Sequence, residues 1–382
     1  MELRYGINPE QAANAVPVTA GKWPVRMVHG EPSFINLLDA LNSWQLVREA
    51  TESLGKPAAA SFKHVSPAGA AVAGAVDDVT AGLYGVDSSS VGELTSAYLR
   101  ARDADPKSSY GDFAAVSYPV DLELADLLSS VVCDGIIAPG YEPGTVERLS
   151  RKKQGRFLVM EVDQEFVPPR EEAREVFGLR LTQERHPSSK PELDQITGDA
   201  LPAEAMEDLR LGMAVMRYTQ SNSVCYVRDG MTIGIGAGQQ SRVDCTRLAG
   251  AKADIWWLRR HPAVRGLVFR DGIKRQERIN WQVRWCEGDL TATEVQRLKL
   301  DLAEPAQDLT AEQRAAWIRR LDGVALVSDG ALPFRDNIDH AHRHGVRYIA
   351  EPGGSIRSDE VATACREYGI SLARTGLSLF HH

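Results

Sequence analysis

Lys63 and His64 stand side by side after a short apolar run, Ala58-Ala59-Ala60-Ser61-Phe62. An imidazole titrates near neutrality, and a neighbouring ammonium can hold an anion. Three other polar groups fall at expected strand ends and turns: Gln220-Ser221-Asn222-Ser223, Gln239-Gln240-Ser241-Arg242 and Phe334-Arg335-Asp336-Asn337. Each alone is also ordinary turn or capping chemistry. Together they offer a proton carrier, a cation, amide donors and a guanidinium. That set suits acyl-type transfer with an oxyanion to stabilise. It has no covalent nucleophile with an attendant base.

Other motifs fail on spacing. Gly234-Ile235-Gly236-Ala237-Gly238 would need a third glycine at Gln239 or Ser241 to match the dinucleotide fingerprint. The glycines are then either a close-packed strand end or a turn that admits a ligand. No phosphate loop of the nucleoside-triphosphatase type is present. His29-Gly30-Glu31 is half of a zinc deaminase signature whose Pro-Cys partner motif is missing. His340, His342 and His344 read as helix surface.

The positioning elements follow from pattern. Leu37, Leu38, Leu41, Trp44 and Val47 predict a helix over 33–49. Gly55-Lys56-Pro57 breaks it, and a buried strand over 58–62 follows. Ser66-Pro67 predicts a helix start, so Lys63 and His64 are expected where a strand hands over to a helix. A strand over 131–138 ends at Pro139-Gly140. Asp163 to Leu201, with Pro168-Pro169, Pro187 and Pro191, reads as a connection between halves. Residues 223–227 and 231–235 flank Asp229-Gly230, a hairpin signal. A helix over 244–260 is expected to bury Leu248, Ala251, Ile255 and Trp256. Short strands are expected at Leu326-Val327 and Tyr348-Ile349-Ala350. Alternating strands and helices indicate α/β architecture.

Composition bounds the rest. The chain has 382 residues, a formal charge of −8 and 25% charged residues. That is ordinary globular composition without the basic block of a nucleic-acid binder. Five scattered cysteines with no C-x-x-C pair indicate reduced thiols. With no signal-peptide pattern and no long apolar run, a cytoplasmic protein with neither nucleic acid nor membrane as partner is expected.

The same residues carry a family resemblance. Ser61-Phe62-Lys63-His64-Val65-Ser66-Pro67-Ala68-Gly69 resembles the Lys-His signature of the 5-aminoimidazole-4-carboxamide ribonucleotide (AICAR) transformylases. The stretches 218–225, 233–242 and 246–250, Pro333-Phe334-Arg335-Asp336-Asn337, the opening Leu3-Arg4-Tyr5-Gly6 and the ending Leu379-Phe380-His381-His382 resemble the same family. The resemblance spans essentially the whole chain. It implies two fused cytidine deaminase-like α/β units with additional helices and no deaminase zinc, here residues 1–195 and 196–382. It further implies a homodimer with interface active sites, and 10-formyltetrahydrofolate as co-substrate. In bifunctional purine enzymes this unit follows a cyclohydrolase. A stand-alone transformylase is therefore expected here, with ring closure by another protein.

By resemblance the catalytic residues are Lys63, His64 and Asn222, with His64 as proton carrier. Lys63 either stabilises the oxyanion or holds substrate phosphate. Arg4, Tyr5, Tyr110, Gly111, Asp134 and Arg242 fall on ribotide-binding positions, with Arg4 facing the phosphate. Val243, Pro333, Asp336 and Asn337 fall on the folate side. Three positions depart from the family pattern. Ser378 replaces an arginine that helps bind phosphate, Ala331-Leu332 replaces an aromatic pair, and Tyr110 replaces a phenylalanine. The departures open a second expectation, a paralogue formylating an AICAR-like (for example pyrazole) ribotide in nucleoside-antibiotic biosynthesis. A silent ribotide sensor is the reading from another class, and retention of both Lys63 and His64 speaks against it.

Overall fold

A computed structural model describes residues 1–186 and 192–382. Its frame is one mixed sheet of twelve strands. In chain order these are β1 (Val25–His29), β2 (Ala58–Lys63), β3 (Ser66–Val72), β4 (Asp112–Val116), β5 (Cys133–Ala138), β6 (Leu158–Val162), β7 (Asp194–Thr197), β8 (Val224–Arg228), β9 (Met231–Gly236), β10 (Val324–Ser328), β11 (Val346–Glu351) and β12 (Ser371–Arg374). Their order across the sheet is β7-β12-β11-β10-β8-β9-β3-β2-β4-β5-β6-β1.

The order repeats outward from the centre. Hairpin β2–β3 corresponds to β8–β9. Antiparallel β2–β4 corresponds to β8–β10. The parallel run β4-β5-β6 corresponds to β10-β11-β12. Each half closes with its own first strand antiparallel at the edge, β1 on β6 and β7 on β12. The halves meet where β3 and β9 pair antiparallel, Ala71 opposite Met231. A twofold rotation normal to the sheet therefore relates them. Because β7 includes Asp194 and pairs with β12, the topological division lies before Asp194.

Helices cover both faces. α1 (Phe34–Leu54) and α2 (Ala203–Met216) lie together on one face, over a core that includes Leu46, Val47, Phe62, Leu209 and Val327. The opposite face carries helices Glu93–Asp103 and Arg242–Leu258 over Tyr98, Leu124, Ile233 and Leu326. Both apolar layers run through both halves. α1 begins at a capping box, Ser33 with Asn36, and stops at left-handed Gly55. Helices Arg275–Glu287, Ala292–Asp301 and Ala311–Ile318 are inserted between Leu258 and β10, around a small core of Leu267, Cys286 and Leu298.

Three expectations change. Ser66-Pro67 opens strand β3, not a helix. Pro67 sits opposite Phe62, where the register shifts after Ser61, and a bulge tolerates the missing N–H. Helix Arg242–Leu258 buries Cys245, Ala249, Ala253 and Trp256, whereas Leu248 and Ala251 face outward. Gly234 and Gly236 make that packing close: a Cβ on either would lie 2.1 and 2.3 Å from the helix carbonyls of Ala249 and Cys245. The polar connection contains an exposed antiparallel ribbon, Glu171–Val176 with Leu179–Glu184, turning at Phe177. Pro187 and Pro191 lie outside the described residues. Among the described residues no helix is long and apolar enough to cross a membrane.

Candidate active site

Lys63 ends β2, and His64 opens the two-residue turn His64-Val65 between β2 and β3. His64 and Val65 both have left-handed backbone, φ 53° and 63°. Such a turn favours Asn-Gly, and a β-branched residue there is strained by about 1–3 kcal/mol. Asp39 holds it. This side chain lies on the inner face of α1, 6% exposed, and its Oδ1 accepts the Val65 N–H at 2.7 Å. Burial pushes the Asp39 carboxyl up to about 6; Asp134 and Asp112 add to the shift and the Val65 N–H opposes it. Lys63 Nζ donates to the Tyr110 carbonyl at 2.5 Å. His64 is exposed, at a cleft of about 370 Å³ shared with Lys63, Ser66, Ala237 and Lys252.

Beside this turn lie the first-half ribotide candidates. Arg4 Nη2 donates to Tyr5 Oη at 3.2 Å. Gly111 is left-handed (φ 74°), and a Cβ there would sit 3.8 Å from Asp134 Oδ1. Asp134 pairs with Lys153 Nζ. Arg4, Asn36, Asp134, Lys153 and Arg156 line a cavity of about 240 Å³. A buried polar network supports this region: Ser61 Oγ and Arg102 Nη1 both bind Asp112, at 2.7 and 2.5 Å, and Arg102 Nη2 reaches the Val132 carbonyl at 3.0 Å.

The second-half candidates form another group. Arg242 Nη2 donates to Asn222 Oδ1 at 2.7 Å, and Asn222 Nδ2 donates to the Gln239 and Gln240 carbonyls at 3.0 and 3.2 Å. Fully buried Asp329 anchors the group through its ion pair with Arg242. It also accepts from Ser221 Oγ at 2.5 Å and Ser223 N at 3.1 Å. The chain end completes the arrangement: Leu379 N donates to the Asp329 carbonyl, and Ser221 N to the His381 carbonyl. Phe380 and His382 join Gln220, Asn222 and Gln239 around an open cavity of about 490 Å³.

The folate-side candidates divide by depth. Asp336 is exposed at the start of helix Asp336–Arg343, with Pro333 half-buried before it. Asn337 is buried behind Asp336. Its Nδ2 binds Asp336 Oδ1 at 2.9 Å, and its Oδ1 accepts from Thr246 Oγ1 at 3.1 Å. Val243 is half-buried, one residue after Arg242. Leu332 is buried in the core, so the missing aromatic at that position is a packing change.

Within one chain, Lys63, His64, Tyr110, Gly111 and Asp134 are thus gathered near α1, while Asn222 and Arg242 are gathered at the chain end. Ala237 bridges them: it lines the cleft of His64, and its carbonyl accepts from Gln239 Nε2 at 3.0 Å. Four residues were not singled out from sequence: Asp39, Asp329, Lys153 and Arg156. The one available signal was the cationic run Arg151-Lys152-Lys153 with Arg156 close behind.

Comparison with known proteins gives the family. The model of the AICARFT/IMPCHase bienzyme matches residues 1–252. The chain belongs to that family. It is 30% identical over 389 aligned residues to the bifunctional purine biosynthesis protein PurH of Magnetococcus marinus, and 31% identical over 387 to that of Roseobacter denitrificans. Each alignment covers 100% of this chain and 59% of the relative. The chain therefore spans about three fifths of the length of these two relatives.

Proposed function

We propose that the chain transfers the formyl group of 10-formyltetrahydrofolate to the 5-amino group of AICAR, giving 5-formamidoimidazole-4-carboxamide ribonucleotide. The observation that carries this reading is the Lys63-His64 pair, held on a strained turn at an open cleft in a chain of this family. The 5-amino group is conjugated with its ring and carboxamide, so it is a weak nucleophile and must lose a proton as it attacks. Exposed His64 accepts that proton and returns it to N10 of the folate as the carbon–nitrogen bond breaks. The tetrahedral intermediate carries an oxyanion, for which Lys63 is the donor, joined by the Asn222 amide once its Nδ2 releases the Gln239 or Gln240 carbonyl it holds here.

Arg4, Tyr5, Tyr110, Gly111, Asp134 and Arg242 bind the ribotide in this reading. Asp336 takes the paired N–H edge of the pterin, with Val243 and Pro333 beside it and Asn337 fixing the Asp336 carboxylate. Arg4 and Asp134 line a different cavity from Asn222. The same reading expects a homodimer in which a second copy completes each site, built on two fused cytidine deaminase-like halves.

A steady-state assay with 10-formyltetrahydrofolate tests the reading. AICAR is expected to exceed its pyrazole analogue in kcat/KM, and preference for the analogue would shift the pathway to the paralogue. That second reading draws on Tyr110, which is 44% exposed and brings a hydroxyl to the site. Asp336→Ala is expected to raise the folate KM more than the ribotide KM; the reverse would move the pterin elsewhere.

A further inference from the structure

Two ion pairs tie helix Glu93–Asp103 and the loop after it to the second half of the chain. Asp103 pairs with Arg259 at 2.7 Å, and both side chains are fully buried. Asp105 pairs with Lys252 at 3.0 Å, and this pair is partly exposed. The first is sealed inside the fold. The second opens on the cleft of His64, which Lys252 lines together with Lys63 and Ser108. Asp105 also organises its own loop. Its Oδ1 accepts from Ser108 N at 3.0 Å, its Oδ2 from Ser108 Oγ at 2.7 Å, and its carbonyl from Ser109 N at 2.9 Å. Burial pushes the Asp105 carboxyl up, but Lys252 and the Ser108 donors outweigh it and hold it below its ordinary value. Ser109 Oγ accepts from Ser61 Oγ on β2 at 2.9 Å, and the next carbonyl, that of Tyr110, takes the Lys63 ammonium.

We propose that Lys252 is a positioning residue for Lys63. Its ion pair with Asp105 sets the loop of residues 105–110, and the Tyr110 carbonyl on that loop holds the Lys63 ammonium where the oxyanion forms. The inference rests on the formyl-transfer reading above and adds Lys252 and Asp105 to it. Two ammonium groups share one cleft, and Asp105 neutralises one of them, so Lys63 is the cation the cleft presents. A direct contact from Lys252 to a ligand would leave the Asp105 carboxylate, nearly buried, without its cation, which is costly. The pair also spans the two groups of candidate residues. Lys252 lies on the helix that begins with Arg242 and Val243, and the loop it braces leads into Tyr110 and Gly111.

The test is a double-mutant cycle on formyl transfer, with circular dichroism to confirm folding; the buried Asp103–Arg259 pair is left untouched throughout. Lys252→Met and Asp105→Asn are each expected to lower kcat about tenfold or more and to leave the folate KM within about twofold, because a small misplacement of a catalytic group acts on the rate. The double variant should lose no more than the worse single, since both break one link. Lys252→Arg keeps the cation and should return to within about threefold of the parent. Amide hydrogen exchange at Ser108 and Ser109, without substrate, should quicken about tenfold in Lys252→Met. A rise confined to the folate or ribotide KM, or losses that multiply in the double variant, would make Lys252 a direct ligand contact and overturn the proposal. Unchanged exchange in Lys252→Met would also overturn it. If the parent does not turn over AICAR, the formyl-transfer reading falls, while the exchange measurement still decides whether Lys252 sets this loop.

Discussion

Two hairpins at the centre of the sheet occupy equivalent places and are built differently. The turn between β8 and β9 is Asp229-Gly230, with φ 53° and 73°. The turn between β2 and β3 is His64-Val65 with nearly the same backbone. Beneath each lies an aspartate at the sixth residue of the covering helix, Asp208 on α2 and Asp39 on α1. Asp208 accepts two turn N–H groups, Asp229 at 3.0 Å and Gly230 at 2.6 Å. Asp39 accepts one. Burial pushes both carboxyls up to about 6. One hairpin thus uses the residues the turn favours and has its donors satisfied twice. The other forces histidine and valine into the same shape with a single bond. The difference places strain at the turn that carries the proposed proton carrier, His64.

The comparison breaks most sharply at the turn side chains. His64→Ala is expected to lower kcat by about 10²–10⁴-fold, the range for a lost general acid–base group. Its positional counterpart Asp229→Ala should leave kcat unchanged, and a comparable loss in both would end the functional asymmetry. Next come the supporting aspartates. Asp208→Ala leaves two N–H groups unpaired and should cost about 2–4 kcal/mol in denaturant unfolding. Asp39→Ala should cost less stability, about 1–3 kcal/mol, and lower kcat/KM as well.

The amide variants sharpen the contrast through pH. With Asp39 raised to about 6 in the fold, the native state binds more protons than the unfolded chain between roughly pH 4 and 6. Its stability contribution is therefore present below pH 4 and lost as pH rises through 6. Asp39→Asn keeps an acceptor for the single N–H and does not ionise. It should be more stable than the parent by about 2 kcal/mol at pH 8, and the gap should close by pH 4. Asp208→Asn cannot accept from both Asp229 and Gly230, so it should show no such gain. A matched pair of melting series against pH checks both. The second turn residues test the backbone itself: Val65→Gly should gain up to about 1 kcal/mol while slowing turnover. Gly230→Val should lose about 1–3 kcal/mol, because its Cβ would sit 2.9 Å from Val72 Cγ2.

The same two hairpins show what a sequence makes legible. Asp229-Gly230 was readable because those residues favour left-handed backbone. His64-Val65 was not, because a β-branched valine disfavours that backbone, and Ser66-Pro67 imitated the start of a helix. The covering helix α1 was visible from its apolar spacing, but Asp39 within it was one acid among many until its bond to Val65 closed. Asp329 was equally silent, since its partners Ser221, Ser223 and Arg242 are about a hundred residues away in the chain. The Lys-His pair, Asn222 and Arg242 were legible through long motifs. That their strands join one continuous sheet through β3 and β9 was not, because edge pairing leaves no periodic trace.

The docking of the last residues has a consequence for how the protein is made and handled. Ser221, next to Asn222, is tied by main-chain and hydroxyl bonds to His381, the penultimate residue. A chain cut before His381 therefore lacks the partner that sets the loop carrying Asn222. Lys63 and His64 lie early in the sequence, yet the second group of candidate residues is completed only by residues 379–382. An affinity tag fused after His382 would sit beside Gln220 and Gln239, within the cavity itself.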